Sequence, residues 1–470
     1  MAIRPRPPAS ARAIRNDLNR QATRPNRAQR LSKGRIKQQR ALAQSPSVAR
    51  CFAKTPGYHL NQLWIPTCFQ HLRPIAPHPR PLHDGAAMKI TNVTPFILHT
   101  GWRKNWIFVK VETDAGITGW GESYTQYDRD IAITSHIEEL ARYLEGRDPF
   151  QIKHFTTHLA YDDYAQRRGA MELWSAVSGI EIALWDIVGK ATDQPIYNLL
   201  GGPVRDKIRV YANGWSFGAE DPDDYARAAE KVLELGFTAM KLEPTPGPWR
   251  TLVPKDHIRH AEKVVKKMRE TVGPDVDILL DVHRRFAPMH AIEMANLLAS
   301  YEPFWFEEPC PAENLDTMAE IRSQISLPVV TGEAIYNKTG FRPVLEKRAA
   351  DILNPDVCSV GGILELKEIA AMAEPNYVAM SPHNYNSTVL GLAATVQASA
   401  TMPNFLITEY FVPYEELGTK VSSPLIQSGG YIQLPDAPGL GIEIDETAFN
   451  EFAYQRFPTR ALRTWKDEGP

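Results

Sequence analysis

From Met88 onward the chain alternates apolar and polar positions through ITNVTPFILHT and NWIFVKVETDAGITGWGES, with breaks at Asp114-Ala-Gly116 and Gly119. A period of two interrupted by turn residues predicts an antiparallel meander. The period then lengthens to that of a helix over Ile131–Leu144 and Gln151–Leu159. A long apolar helix is predicted over Glu172–Lys190 (ELWSAVSGIEIALWDIVGK), with Gly201-Gly202 marking its exit. Together these elements predict a small α+β domain over residues 88–205.

After Lys207 the rhythm changes. Short apolar strands, IRVYAN, FTAMKLE, DILLDVH, FWFEEP, LPVVTGE, DILNPDV, YVAMSPH and NFLITEY, alternate with amphipathic stretches such as YARAAEKVLELG, HIRHAEKVVKKMRETVG and LKEIAAMAEP. Eight such strands between residues 206 and 411 predict an α/β fold, a modified (β/α)8 TIM barrel with the α+β domain as its cap. A doubly wound open sheet is the alternative, disfavoured because no glycine-rich phosphate loop follows the first strand. Residues 412–470 are Gly/Pro-rich in part (GGYIQLPDAPGLGIEID) and are expected to pack back on the capping domain.

Strand C-termini of a barrel share one mouth. Three consecutive strands end in Asp281, Glu307 and Glu333, each 26 residues after the one before. Three carboxylates brought together repel one another unless a cation joins them. All-oxygen ligation suits one Mg²⁺ per subunit, with Mn²⁺ as a substitute. Adjacent strands end in Asp356 and His383, a carboxylate–imidazole pair that would make His383 a general base. His283 is placed on the other side of the mouth, beside the metal, suited to deliver a proton. Lys241, Glu409 and Arg284 or Arg285 also fall at strand ends. Lys241 would either meet a substrate or pair with Glu243 at the edge of the core. Glu409 would either reach the site or bond loop amides. Glu308 is expected to hold a neighbouring group rather than the metal.

Charge separates the chain into two materials. Residues 1–87 hold 16 Lys or Arg and two acids, whereas residues 88–470 hold 37 basic and 53 acidic residues, within a formal net charge of −2 over 470 residues. The first 87 residues, rich in Arg, Pro and Gln, read as a basic disordered extension. Met88 opens the first predicted strand, so the extension is expected to be non-native. A native disordered tail, a targeting segment and a nucleic-acid-binding arm are the alternatives. No apolar run approaches the ~18 residues of a membrane span. The four cysteines, Cys51, Cys68, Cys310 and Cys358, show no CxxC spacing, so a reducing, cytoplasmic setting is expected.

The motifs GITGWGES, SGIEIALWDIVGKATDQPIYNLLGG, DVH, EEP, TGE, NPDVCSVGGILELKEIAAMAE, SPHN and GYIQLPDAPGLGIEID resemble the mandelate racemase/muconate lactonizing enzyme group of the enolase superfamily over residues 88–445. The resemblance implies Asp281, Glu307 and Glu333 as Mg²⁺ ligands. It also implies substrate-selecting cap loops near residues 99–106 and 123–130, and a homo-oligomer. Where racemases of that group carry Lys-x-Lys, this chain has Lys241-Leu-Glu243. With His283 in DVH, the pattern is similar to sugar-acid dehydratases of the galactonate type. That likeness implies His383 with Asp356 as the base that removes the proton α to the carboxylate. It implies His283 as the acid that protonates the departing 3-hydroxyl of an aldonate, giving a 2-keto-3-deoxy sugar acid. Glu409 and Lys241 are implied at the substrate, and Arg285, from its place at a strand end, is expected to reach it as well. The long loop EPTPGPWRTLVPKD and the run SPHNYNST depart from the galactonate pattern. A racemase, epimerase or cycloisomerase using the same enolate chemistry is the alternative. The small molecule is the expected partner; nucleic acid and membrane are not.

Overall fold

The computed structural model describes residues 88–101, 104–126, 128–162, 169–245, 253–284, 286–385, 387 and 389–457. The expected extension 1–87, Arg285, Asn386 and most of the loop after Glu243 lie outside these residues.

The meander forms as β1 (Ile90–His99), β2 (Asn105–Thr113) and β3 (Thr118–Ser123), in the order β1-β2-β3. Alternation along β2 sends Ile107, Val109 and Val111 into a core made with helices Asp130–Leu144 and Met171–Thr192. It sends Trp106 and Phe108 to the opposite face, into the main core. Both faces are therefore covered. Gly119 corrects the sequence expectation: it lies inside β3 rather than in a turn. A Cβ at Gly119 or Gly121 would collide with the backbone oxygen of Ala183 or Gly179 in helix Met171–Thr192. The bare backbone at both positions lets that helix lie directly on the sheet. The same helix is tied to the barrel, since Glu181 accepts from the amides of Ile363 (2.7 Å) and Leu364 (3.0 Å) at a helix N-terminus.

The barrel strands are β4 (Lys207–Asn213), β5 (Ala239–Leu242), β6 (Asp277–Asp281), β7 (Trp305–Glu307), β8 (Val329–Thr331), β9 (Ile352–Leu353), β10 (Ala379–Met380) and β11 (Thr408–Phe411). They run parallel in the order β10-β9-β8-β7-β6-β5-β4-β11. The circle closes where Met380 N donates to Asn404 O (2.9 Å) and Leu406 N to Met380 O (2.8 Å). A closed ring excludes the open doubly wound sheet. The intervening helices follow their sequence signals. Helix Pro222–Glu234, for example, starts at Asp221 with a capping box to Asp224 and a proline in its first turn, and buries Tyr225, Ala226, Ala229 and Val232. The C-terminal segment touches both parts. β12 (Tyr431–Gln433) pairs antiparallel with β4, and Leu440 N donates to Asp186 Oδ1 (2.9 Å) on the long cap helix.

The barrel interior decides where the site lies. Tyr211, Ala239, Leu279, Trp305, Val330, Ile352 and Ile407 form one inward-facing apolar layer, one residue at each strand but β10, whose half-buried Ala379 packs against it. Side chains of a strand return to the same face every second residue. The next inward layer is therefore Asn213, Lys241, Asp281, Glu307, Gly332, Asn354 and Glu409. The apolar layer is a floor, and this polar layer stands on it.

Candidate active site

Asp281, Glu307 and Glu333 each present one carboxylate oxygen, and the three oxygens lie within 4.8 Å of one another. Asp281 and Glu307 are register partners on β6 and β7. Glu333 is not their third partner, despite the equal spacing. Val330 is opposite Glu307, and Glu333 follows three residues later. Gly332 bridges the gap with φ +149°, where a Cβ would press on the Asn354 backbone nitrogen at 3.0 Å. Glu333 thus reaches the cluster from the loop that follows β8.

Two cations sit among these acids. Lys241 is 3 % exposed along its side chain, with Nζ 3.0 Å from Glu307, 3.5 Å from Asp281 and 3.7 Å from Glu409. It therefore turns into the acid cluster. Arg284 Nη1 lies 2.5 Å from Glu333 and 3.0 Å from Glu308. Glu308 also accepts from Thr331 Oγ1 (2.6 Å) and Gly332 N (3.2 Å), holding Arg284 and the end of β8 in place. Glu409 accepts from Asn384 N (2.9 Å) and from the Asn213 amide. Asn354 Nδ2 donates to Glu307 at 2.9 Å. Asn213 and Asn354 were missed from sequence; their signal was position, two residues beyond an inward apolar residue.

The two histidines occupy the layer above. Asp356 and His383 form a parallel backbone bridge, and His383 Nδ1 lies 2.7 Å from Asp356 Oδ2. Asp356 also accepts from Cys358 N at 2.8 Å. That arrangement directs His383 Nε2 towards Glu333 (3.3 Å) and Glu409 (3.6 Å). His283 Nε2 is 3.2 Å from Asp281, and its Nδ1 is 3.3 Å from Glu243. His283 and Arg284 both hold left-handed backbone, φ +46° and +61°. Such geometry costs of order 1–3 kcal/mol and persists where surroundings impose it. Here His283 N donates to Asp281 Oδ1 (2.9 Å) and Arg284 N to Glu308 O (2.7 Å).

Electrostatics follows from burial. Removal from water pushes Glu307 well above the usual carboxylate range, with Asp281, Glu333 and Glu409 adding to the effect of burial and Lys241 opposing it. Burial also raises Asp356, against the bond from His383. Burial opposes ionisation of Glu333 too, but Arg284 and His383 outweigh it and hold Glu333 well below the ordinary value. At His383 burial is overcome by Glu409, Asp356 and Glu333, which raise the imidazole to about 9. Five buried acids, Asp281, Glu307, Glu308, Asp356 and Glu409, and the half-buried Glu333 face the cations Lys241 and Arg284. The cluster is deficient in positive charge, and its donors are hard oxygens. The residues fit a divalent cation of the Mg²⁺ type.

A cavity of about 470 Å³ opens over the cluster, lined by Lys241, Asp281, His283, Arg284, Glu333 and His383 on the barrel side. Tyr124 and Gln126 of the cap complete its wall. Of the residues singled out in sequence, Asp281, Glu307, Glu333, Asp356, His383, His283, Lys241 and Glu409 converge here.

Fold and site together define a capped (β/α)8 barrel with strand-end acids below two histidines. Residues 87–201 match the mandelate racemase / muconate lactonizing enzyme N-terminal domain, and residues 224–448 the enolase C-terminal domain-like family. The chain belongs to the mandelate racemase/muconate lactonizing enzyme family of the enolase superfamily. It is 35% identical over 351 residues to a D-xylonate dehydratase of Haloferax volcanii, covering 72% of this chain and 83% of that one. It is 35% identical to a D-galactonate dehydratase of Ralstonia pickettii, covering 76% and 93% of the two chains. Among solved structures it resembles a mandelate racemase/muconate lactonizing enzyme from Sulfitobacter, with TM-score 0.73, 33% identity, and coverage of 78% and 96%.

Proposed function

We propose that this protein is a hydro-lyase that dehydrates a sugar acid of the aldonate class to a 2-keto-3-deoxy sugar acid. The observation that carries the reading is the placement of two histidines over one carboxylate cluster, one of them fixed by Asp356. The names of the dehydratase relatives support the substrate class. Asp281, Glu307 and Glu333 would hold Mg²⁺, with Mn²⁺ as substitute. When bound, the ion supplies the positive charge that stabilises a substrate carboxylate as its α-carbon loses a proton.

The remaining work falls to this chain's own side chains. With Nδ1 held by Asp356, His383 keeps Nε2 as the atom that takes the α-proton. His283 returns a proton to the leaving 3-hydroxyl, and water departs. Glu243 stands at the other nitrogen of His283, a position at which racemases of the group carry a lysine. Lys241 and Arg284 offset the mutual repulsion of the acids below. Racemisation would use the same histidines without losing water, so the mass of the product separates the two reactions. A screen of aldonates with the full chain and Mg²⁺, detecting 2-keto acid, tests the proposal. Product isomeric with its substrate would overturn it.

Metal binding supplies a further prediction. Ligand carboxyls must be ionised, so the ion competes with protons. Because Glu307 is raised, Mg²⁺ should still bind more tightly as pH climbs above the ordinary carboxylate range, by up to about tenfold per unit for each proton released. Calorimetry in buffers of different ionisation enthalpy would measure both affinity and protons released. Asp281→Asn should weaken binding at every pH.

A further inference from the structure

We propose that Tyr124 of the capping domain donates a hydrogen bond to a hydroxyl or carboxylate oxygen of the sugar acid, and that Lys104 is the positioning residue that aims it. This goes beyond the dehydratase reading and rests on it for the ligand.

Lys104 immediately precedes β2 in the cap and is only 2 % exposed. Its Nζ lies 4.0 Å from the Tyr385 ring centroid, 4.7 Å from that of Tyr124, and 3.5 Å from the Tyr124 hydroxyl. Tyr124 and Tyr385 both line the cavity, one contributed by the cap and one by the barrel. The two rings hold the ammonium by cation–π attraction, and the ammonium holds the rings. The backbone fixes the same joint, since Tyr124 N donates to Cys358 O at 2.9 Å and Thr100 Oγ1 to Lys104 O at 2.7 Å.

Donor arithmetic gives the direction. An ammonium has donors and no acceptor. Against the phenol it can only donate, so the Tyr124 oxygen accepts and its own O–H must find another partner. Among the described residues the Lys104 contact is the phenol's only hydrogen bond. The ring stands 6.1 Å from that of His383, on the side where the proton is to be removed. A substrate oxygen in the cavity completes the arrangement. Burial pushes Lys104 down to about 7, against the pull of Asp356, Glu333 and Glu409, so the ammonium that fixes this direction prevails below that pH, and the binding measurements belong there. The lysine is thus held by rings rather than by a carboxylate, which sets it apart from Lys241.

The test uses the full chain with Mg²⁺ and a panel of aldonates that includes D-xylonate and D-galactonate. Steady-state kinetics, calorimetric binding and thermal melting are measured for Tyr124→Phe, Lys104→Met, Lys104→Arg and the double variant Tyr124→Phe/Lys104→Met. Each of the first two should raise KM and Kd by about tenfold, with a smaller effect on kcat, as expected for one lost hydrogen bond to a polar ligand. The double variant should be no worse than Tyr124→Phe alone, and Lys104→Arg should recover most of the loss. Unchanged binding by Tyr124→Phe in a chain that turns over an aldonate overturns this inference alone. So do effects that multiply in the double variant, or a fall in melting temperature that Lys104→Arg does not repair. If the unmodified chain neither binds nor turns over any aldonate, the functional reading fails and this inference fails with it.

Discussion

Replacing His383 by asparagine should lower turnover of the best aldonate by roughly 10²–10⁴-fold, the usual worth of a positioned general base. It should also abolish exchange of the α-hydrogen with solvent deuterium. Asparagine keeps a polar group near Asp356 but cannot accept and carry the proton. The companion variant His283→Asn should behave differently. Its base is intact, so α-exchange should continue while loss of water falls by a similar factor. The contrast is what distinguishes two roles from one shared function. Equal loss of exchange and dehydration in both variants would contradict the division of labour. Retained exchange in His383→Asn would remove His383 from the role of base.

The second large effect is expected at Lys241. Its ammonium lies within 4 Å of Asp281, Glu307 and Glu409, all buried. Lys241→Met keeps the length of the side chain and deletes the charge. Breaking a buried pair by removing one partner costs about 3–5 kcal/mol. The loss should depend on pH. Burial already raises the Glu307 carboxyl, and removing the ammonium raises it further. A carboxyl whose folded value exceeds its unfolded value opposes folding progressively as pH climbs above the unfolded value near ~4.3. The destabilisation should therefore be small near the unfolded carboxyl value and largest in mild alkali. Added Mg²⁺ should restore part of the stability by replacing the missing charge. Chemical denaturation of both proteins across pH, with and without Mg²⁺, reads each arm. A loss independent of pH and Mg²⁺ would mean that Lys241 fills space rather than neutralising acids.

Much of the barrel was legible because each strand is a short apolar run followed by a polar residue at its mouth. The acids and the Asp356–His383 pair stood out because strand ends of a barrel converge. Periodicity alone could not tell that Gly119 serves packing rather than a turn, since that depends on the helix crossing above it. Equal spacing also concealed a difference. Asp281 and Glu307 are register partners, whereas Glu333 reaches the cluster around Gly332. Lys241 had two readings because its partners lie on strands distant in sequence. Asn213 and Asn354 carry no charge and no motif, and only the layering of the closed barrel brings them to the acids. Lys104 was hidden for the same reason: its neighbours are rings from two domains.

The proposed reaction has the two histidines acting on one substrate carbon skeleton to expel water. It is tested most directly by offering a panel of aldonates to the full chain with Mg²⁺ in deuterated water and weighing the product. The expected product has lost one water and gained solvent deuterium, and it reacts as a 2-keto acid. A product of unchanged composition that carries deuterium only at the α-carbon would contradict dehydration and make the protein an epimerase or racemase.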